Sequence, residues 1–317
     1  MKKALLLGTC LTILLLCSCD TAINTDTQFY FDTAVTLTAK TNAETLEAAM
    51  DLCRKYDKLW GKENKESEIF ALNNTDGETT VSKDTAKLIE RGLYFGNLSG
   101  GRFDISIYPL SKIWDIKNQV IPSRDEIAEA LKNVDYESVD LSGTTVNPNG
   151  KKIDVGGIAK GFIADELLSF FKSKNVSEGI INLGGNVVVF GDRDYNVGIK
   201  KPFSENENST VLKVKNKSIV TSGVYERSFY KDGNFYHHII DPKTGYPAET
   251  DLYSAVIIND SSLDGDALST TALLLGREKA TDLIESIKGT EAIFIDSKNE
   301  IYLTSGLCFK GDYVVFK

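Results

Sequence analysis

The chain has 317 residues, 42% apolar and 26% charged, with 36 Lys and Arg against 45 Asp and Glu. This suits one large domain or two modest ones with a sizeable core, and it excludes disordered, collagen-like and coiled-coil proteins. A formal charge of −9 argues against a nucleic-acid partner, so any polyanionic ligand must be met locally by a metal ion, a lysine or backbone N–H groups.

Residues 1–18 read as a lipoprotein signal peptide: Lys2 and Lys3 precede an apolar run, Ala4 to Cys17, that is short for a membrane span. Leu16-Cys17-Ser18-Cys19 resembles a bacterial lipobox and makes Cys19 the predicted lipidation site. An ordinary signal peptide or an uncleaved anchor is the alternative. The expected location is exported, lipid-anchored to the outer face of the cytoplasmic membrane, on the periplasmic side if there are two membranes. Only Cys53 and Cys308 lie in the body of the chain, which is no disulfide framework; whether they pair is left open.

The lipidated Cys and a polar tether take residues 19–28, and the folded domain is expected over 29–317. Phe29 to Ala39 alternates apolar and polar residues and predicts a strand. Thr41-Asn42-Ala43-Glu44 reads as a capping box opening a helix, with Leu46, Met50, Cys53, Tyr56 and Trp60 at helical spacing. Ser82 to Leu98 predicts a second helix, closed by Ser99-Gly100-Gly101. A capping box at Ser123-Arg124-Asp125-Glu126 opens a helix to about Val134. Lys151 to Val155 and Ile180 to Leu183 read as strands flanking a helix from Ile158 to Lys174. Strand signals dominate from Tyr195 to Ile240. Tyr253 to Asn259 predicts a strand, Leu263 to Gly276 and Glu278 to Ile287 helices, and Ala292–Ile295, Ile301–Leu303 and Tyr313–Phe316 strands. The mixture lacks βαβ alternation, so the predicted class is α+β, mixed sheets with packed helices.

Four segments carry groups suited to chemistry. Asp154-Val155-Gly156-Gly157-Ile158-Ala159-Lys160-Gly161 sits at a strand-to-helix junction, where glycines permit close backbone approach and free N–H groups suit an anion. It matches neither common phosphate-loop pattern, and a tight turn is the alternative. Asn182-Leu183-Gly184-Gly185-Asn186 is a second glycine turn. The third runs from Thr221-Ser222-Gly223-Val224-Tyr225-Glu226-Arg227 to His237-His238-Ile239-Ile240-Asp241-Pro242, and it holds both histidines of the chain. Neighbours on a strand face opposite ways, so at most one of the pair faces a given site. In Asp264-Gly265-Asp266-Ala267-Leu268-Ser269-Thr270, Asp266 and Thr270 share a helix face and offer hard oxygen donors suited to Mg²⁺; capping by Asp264 is the alternative reading.

These segments, in this order, resemble the ApbE family, the FAD:protein FMN transferases, from about Phe31 to Gly276. Further matches are Phe31-Asp32-Thr33, Ser67-Glu68-Ile69 with Leu72-Asn73, and Phe103-Asp104-Ile105 with Pro109-Leu110. The resemblance implies an ApbE-like, T-fold-related architecture and a Mg²⁺-dependent reaction with FAD as substrate. FMN passes through its phosphate to a Thr or Ser hydroxyl of an exported flavoprotein, and AMP leaves. It implies metal donors at Asp266, Thr270 and the Ala159 carbonyl. Flavin-nucleotide contacts are implied at Gly156, Gly157, Lys160, Gly184 and Gly185. Asp154 and His238 fall in motifs tied to catalysis or ligand binding, with Asp154 one candidate base. Phe31 and Tyr225 are candidates to stack on the flavin or adenine, core packing being the alternative. Many members carry Tyr four residues before the Ser of Ser-Glu-Ile, where this chain has Glu63. A site that admitted water there would hydrolyse FAD to FMN and AMP. The rival readings are thus an FAD pyrophosphatase and a flavin-binding lipoprotein without turnover.

Overall fold

A computed structural model describes residues 22–317; the expected signal peptide and Cys19 lie outside the described residues. In chain order the elements are β1 (Ile23–Tyr30), β2 (Thr33–Lys40), α1 (Ala43–Trp60), α2 (Glu68–Asn74), β3 (Thr79–Thr80), α3 (Lys83–Leu98), α4 (Tyr108–Ile113), α5 (Arg124–Leu131), β4 (Asp140–Ser142) and β5 (Thr145–Asn147). Then follow α6 (Ala159–Ser173), β6 (Gly179–Asn182), β7 (Asn186–Phe190), β8 (Tyr195–Lys200), β9 (Asn208–Val214), β10 (Lys217–Gly223), β11 (Ser228–Lys231) and β12 (Asn234–His237). The chain finishes with β13 (Leu252–Asn259), α7 (Ser262–Leu275), α8 (Arg277–Glu285), β14 (Glu291–Asp296), β15 (Ile301–Leu303), β16 (Leu307–Lys310) and β17 (Tyr313–Phe316). The α+β expectation holds.

The centre is an eight-stranded sheet ordered β1-β2-β6-β7-β10-β13-β14-β15. Successive residues of a strand point to opposite faces, and β13 uses both: Ala255 and Ile257 enter one core, Val256 and Ile258 another. The first core lies under α1, α3, α6 and α7, where Phe162 meets Tyr56 and Trp60. Burying such a ring contributes roughly 1.5–3 kcal/mol. The second lies between this sheet and a four-stranded sheet, β16-β17-β9-β8. A third cluster packs Trp114 and Ile127 against Phe229 and Ile240. Among the described residues no helix is long and apolar enough to cross a membrane.

Several expectations are corrected. The polar stretch Ile23–Gln28 is no tether but most of β1, paired residue by residue with β2. Its Thr25 and Thr27 hydroxyls bond Thr38 and Thr36 across the ladder, so an edge strand is built from polar side chains. The strand foreseen from Phe29 to Ala39 is broken by the turn Phe31-Asp32, both at positive φ (54° and 57°), which reverses the chain. The cap of α1 is Asn42, not Thr41: its side chain accepts from the Thr45 N–H. Lys151–Val155 is not a strand, because its backbone bonds elsewhere. Asn73 brackets Ile153 through both amide atoms, and the Asp154 N–H donates to the Ile105 carbonyl. Helix α7 is capped by Ser261, not Asp264. The pairing left open for Cys53 and Cys308 is not made: both are free thiols.

Candidate active site

Turns of the large sheet gather at one end: Phe31-Asp32 before β2, Gly184-Gly185 between β6 and β7, and the end of β10 at Gly223. Gly184 has φ +65°, and a Cβ there would lie 2.0 Å from Thr33 Oγ1, so only glycine lets the first two turns meet. Helices α6 and α7 cross beside them. A Cβ on Gly161 would lie 2.3 Å from the Ser262 carbonyl oxygen, so the crossing depends on glycine.

The crossing sets Asp266 against the start of α6. The Gly161 N–H donates to Asp266 Oδ2 at 2.8 Å, and the carboxylate is buried. Helix α6 has no side-chain cap at Ile158, so its first-turn N–H groups need outside partners, and Asp266 is one. Burial pushes the Asp266 carboxyl above the ordinary value, with the Lys160 charge opposing. Asn186 is buried and its carboxamide faces this carboxylate, helping to oppose the effect of burial. Ser222 links the far side: its hydroxyl is 2.7 Å from Ser269 Oγ and 3.4 Å from Thr270 Oγ1. Thr270 in turn faces Gly157, whose Cβ position is 3.9 Å from Thr270 Oγ1. Asp266, Thr270, Lys160, Gly157 and the first residue of α6, Ala159, thus converge.

Lys160 is also the charge felt by Glu226 and His238. Glu226 lies beside the second glycine turn, Oε1 3.8 Å from the Cβ position of Gly185, and burial raises its carboxyl above the ordinary value, with the Lys160 charge opposing. His238 Nδ1 lies 3.3 Å from the Arg227 carbonyl, which fixes the proton on Nδ1 and leaves Nε2 as an acceptor. Burial and the neighbouring Arg227 push its pKa down to about 3. His237 turns the other way. Its Nδ1 accepts from the Ile239 N–H and its Nε2 donates to the Ala248 carbonyl, so it serves the fold.

Asp154 stands in a neighbouring cluster at the other end of the glycine loop. Lys62 Nζ at 2.7 Å, Ser111 Oγ at 2.8 Å and the Gly156 N–H at 2.9 Å all contact its carboxylate. Burial would raise it, but Lys62 and these donors hold it below the ordinary carboxylate value. Glu63 is next to this cluster and accepts from the Tyr108 hydroxyl at 2.9 Å. Phe31 sits half-buried in its turn, its N–H held by Asp57. Tyr225 packs on Phe203 at 5.7 Å. Sequence reading did not reach Lys62 or Ser111, and it gave Asn186, Ser222 and Glu226 no role of their own within their segments.

One carboxylate, one hydroxyl and one carbonyl make a sparse hard-oxygen set. Among the described residues no group of three or more His, Cys, Asp or Glu could hold a metal by itself. Such a set suits Mg²⁺, which is commonly held by one or two carboxylates together with substrate phosphates.

The ApbE family profile matches residues 31–294. An FAD:protein FMN transferase of Treponema pallidum is 34% identical over 288 residues, 83% of this chain and 80% of its own length. One of Klebsiella pneumoniae is 34% identical over 263 residues, covering 80% and 83%. The crystal structure of an ApbE protein from Thermotoga maritima superposes with a TM-score of 0.83 at 27% identity, covering 90% of this chain and 97% of that one. The apo Pseudomonas stutzeri flavinyl transferase ApbE reaches 0.79 at 21% identity, covering 90% and 95%, and shares the fold.

Proposed function

The chain belongs to the ApbE family, and we propose that it is the FAD:protein FMN transferase of its cell surface, carrying FMN from FAD to a Thr or Ser hydroxyl of an exported protein. The observation that carries this reading is the α6–α7 crossing, which brings Asp266, Thr270 and Ala159 to the glycine loop and Lys160. These three would hold Mg²⁺. Bound there, the ion would neutralise the diphosphate charge that an acidic protein otherwise repels.

The protein's own groups do the rest. Lys160 faces the anionic ligand, and the Gly156-Gly157 backbone lets it approach. His238 Nε2 is an unprotonated acceptor at the same site. The acceptor oxygen bonds to the FMN phosphorus, the bond to the bridging oxygen breaks, AMP departs with that oxygen, and the hydroxyl proton passes to a base. Phosphoryl transfer asks mainly for such positioning and charge stabilisation. Anchoring through lipid on Cys19 would keep the enzyme beside exported acceptors; mutation of Cys19 to Ser should release it from the membrane fraction. The Glu63–Tyr108 pair favours a second reading, hydrolysis, because two polar groups near Asp154 offer water a foothold.

The test uses residues 20–317 with FAD and Mg²⁺, with and without a Thr-containing fragment of an exported flavoprotein. Flavin fluorescence fixed to the fragment on a denaturing gel, lost with EDTA and in Asp266→Ala, supports the transferase. AMP and free FMN with a dark fragment support the pyrophosphatase. FAD bound with neither product leaves a binder.

A further inference from the structure

Behind His238 the chain forks. The segment after β12 is closed by the Ile240–Pro247 bridge and by the Ala248 N–H donating to the Ile239 carbonyl. Beyond Ala248 the two arms separate: one is β12, the other runs through Glu249 and Thr250 into β13. Between them lies a cleft of about 350 Å³, lined by Asn234, Phe235, His237, Tyr246, Glu249 and Tyr253 among others.

One wall of this cleft is an unpaired strand edge. The hairpin β11–β12 pairs Ser228 with His237 and Lys231 with Asn234, and the His238 N–H donates to the Arg227 carbonyl at 3.1 Å. Hydrogen-bonded pairs alternate in an antiparallel ladder. The main-chain groups of Phe235 and His237 therefore point away from β11, into the cleft, and no described residue bonds them. A free strand edge asks for a partner that supplies N–H and C=O groups at strand spacing, and an extended polypeptide is that partner.

The surroundings agree. Phe235 is flanked by Tyr230 at 4.9 Å and Phe203 at 5.6 Å, and both of those rings are exposed. Phe203 is held at φ 58°, a conformation costly for a bulky side chain and met where the surroundings or function require it. It also touches Tyr225 and Tyr253, so the aromatic platform runs to the Glu226 side of the candidate active site. Among the described residues Glu249 is the one charged group lining the cleft, and a buried His237 is neutral, pushed down to about 4 by burial. An acidic mouth without a cation does not suit a dinucleotide diphosphate.

We propose that this cleft seats the acceptor polypeptide. An extended segment adds to the outer edge of β12, rests apolar side chains on Phe235 and Phe203, and carries its hydroxyl past His237 to the site around His238 and Lys160. The inference rests on the transferase reading, which supplies the need for a protein acceptor.

The experiment measures two affinities in residues 20–317. One is for a rhodamine-labelled fragment of an exported flavoprotein carrying a single Thr, by anisotropy. The other is for FAD, by flavin fluorescence. Two variants are compared with the parent: Phe235→Ala removes the platform, and Phe203→Gly removes a ring where glycine relieves the backbone, so it should fold at least as well. The expected result is fragment affinity weakened about tenfold in Phe235→Ala and several-fold in Phe203→Gly, with FAD affinity unchanged. Weakened FAD affinity would assign the cleft to the nucleotide and overturn the proposal. Unchanged fragment affinity, with FMN transfer intact, would overturn it while leaving the transferase. Fragment binding sensitive to both variants, without transfer, would support the cleft and sink the transferase. A parent that neither binds nor labels the fragment would overturn both.

Discussion

Gly161 and Asp266 are 105 positions apart, yet the amide of one donates to the carboxylate of the other at 2.8 Å. The bond joins the first turn of α6 to the first turns of α7, so the helix crossing and the candidate metal donor are one structural unit. The α6 N–H group that would otherwise lack a helical partner is satisfied, and Asp266 is oriented by the same contact. The cost is a carboxylate in a buried place, and that cost has a measurable signature.

Asp266→Asn should stabilise the metal-free protein at neutral pH. Burial raises the folded-state value above the ordinary 3.8, so the folded state holds its proton more tightly than the unfolded chain. Stability from this group is fully present below 3.8 and is lost as pH rises through the folded value. Asn keeps a carbonyl for the Gly161 N–H and never ionises. In EDTA, the Tm of the variant should exceed the parent's at pH 7, and the gap should close in acid. FMN transfer should meanwhile fall by roughly 100-fold or more.

His237 predicts acid sensitivity of the opposite sign. Its pKa is pushed down to about 4 from 6.5, with burial the main cause. The unfolded chain therefore binds the proton first, and stability declines as pH falls below 6.5 until the folded value near 4 is passed. By about pH 5 the loss is roughly 2 kcal/mol. His237→Gln should flatten this part of the Tm profile, whatever its effect at pH 7.

The contrast between what the chain order reveals and what it hides follows from the reach of each contact. Leu46, Met50, Cys53, Tyr56 and Trp60 repeat at helical spacing and all are buried on α1. Asp266 and Thr270, four apart, were visible as one helix face. Lys151–Val155 has strand composition, but its partners are the Asn73 side chain and Ile105, which composition does not disclose. Strand β7 follows directly on a glycine turn, and only its first residue, Asn186, falls in a segment read from the sequence, as part of that turn. Lys62 reaches Asp154 from 92 positions away, and Glu226 reaches Gly185 from the bend between β10 and β11. Lys62 carries no local signal beyond being a charged residue in a loop, and Glu226, though inside the Thr221–Arg227 segment, has nothing in that segment to point it at Gly185.

Gly161→Ala should be among the most damaging single changes in the domain. The added methyl would stand 2.3 Å from the Ser262 carbonyl oxygen and 2.6 Å from Leu263 Cα, both backbone atoms that cannot swing aside. Overpacking of this kind costs about 3 kcal/mol or more. Denaturant unfolding should show the loss. In whatever fraction remains folded, FAD binding should weaken too, because the displaced helix carries Asp266 and Thr270. A substitution that left both unfolding and FAD binding at parental values would contradict the crossing.

Lys62 should govern the charge on Asp154, and through it the order of the glycine loop. Asp154 accepts from the Gly156 N–H, so its ionised form holds the turn that the flavin nucleotide is expected to meet. Burial favours the neutral acid, and Lys62 is the foremost group opposing it. In the parent the carboxylate stays charged across the physiological range, and FAD affinity should not vary with pH on its account. In Lys62→Met burial is unopposed by a neighbouring cation, so the Asp154 pKa climbs. FAD affinity should then fall more steeply than the parent's as pH is lowered from neutral toward acid. The double variant Lys62→Met with Asp154→Asn should return to the parent's pH dependence, at the weakened level, because no titrating group remains at that position. Flavin fluorescence titrations of the three proteins over this range separate the outcomes. A Lys62→Met profile parallel to the parent's would mean that the Ser111 and Gly156 bonds suffice to keep Asp154 ionised.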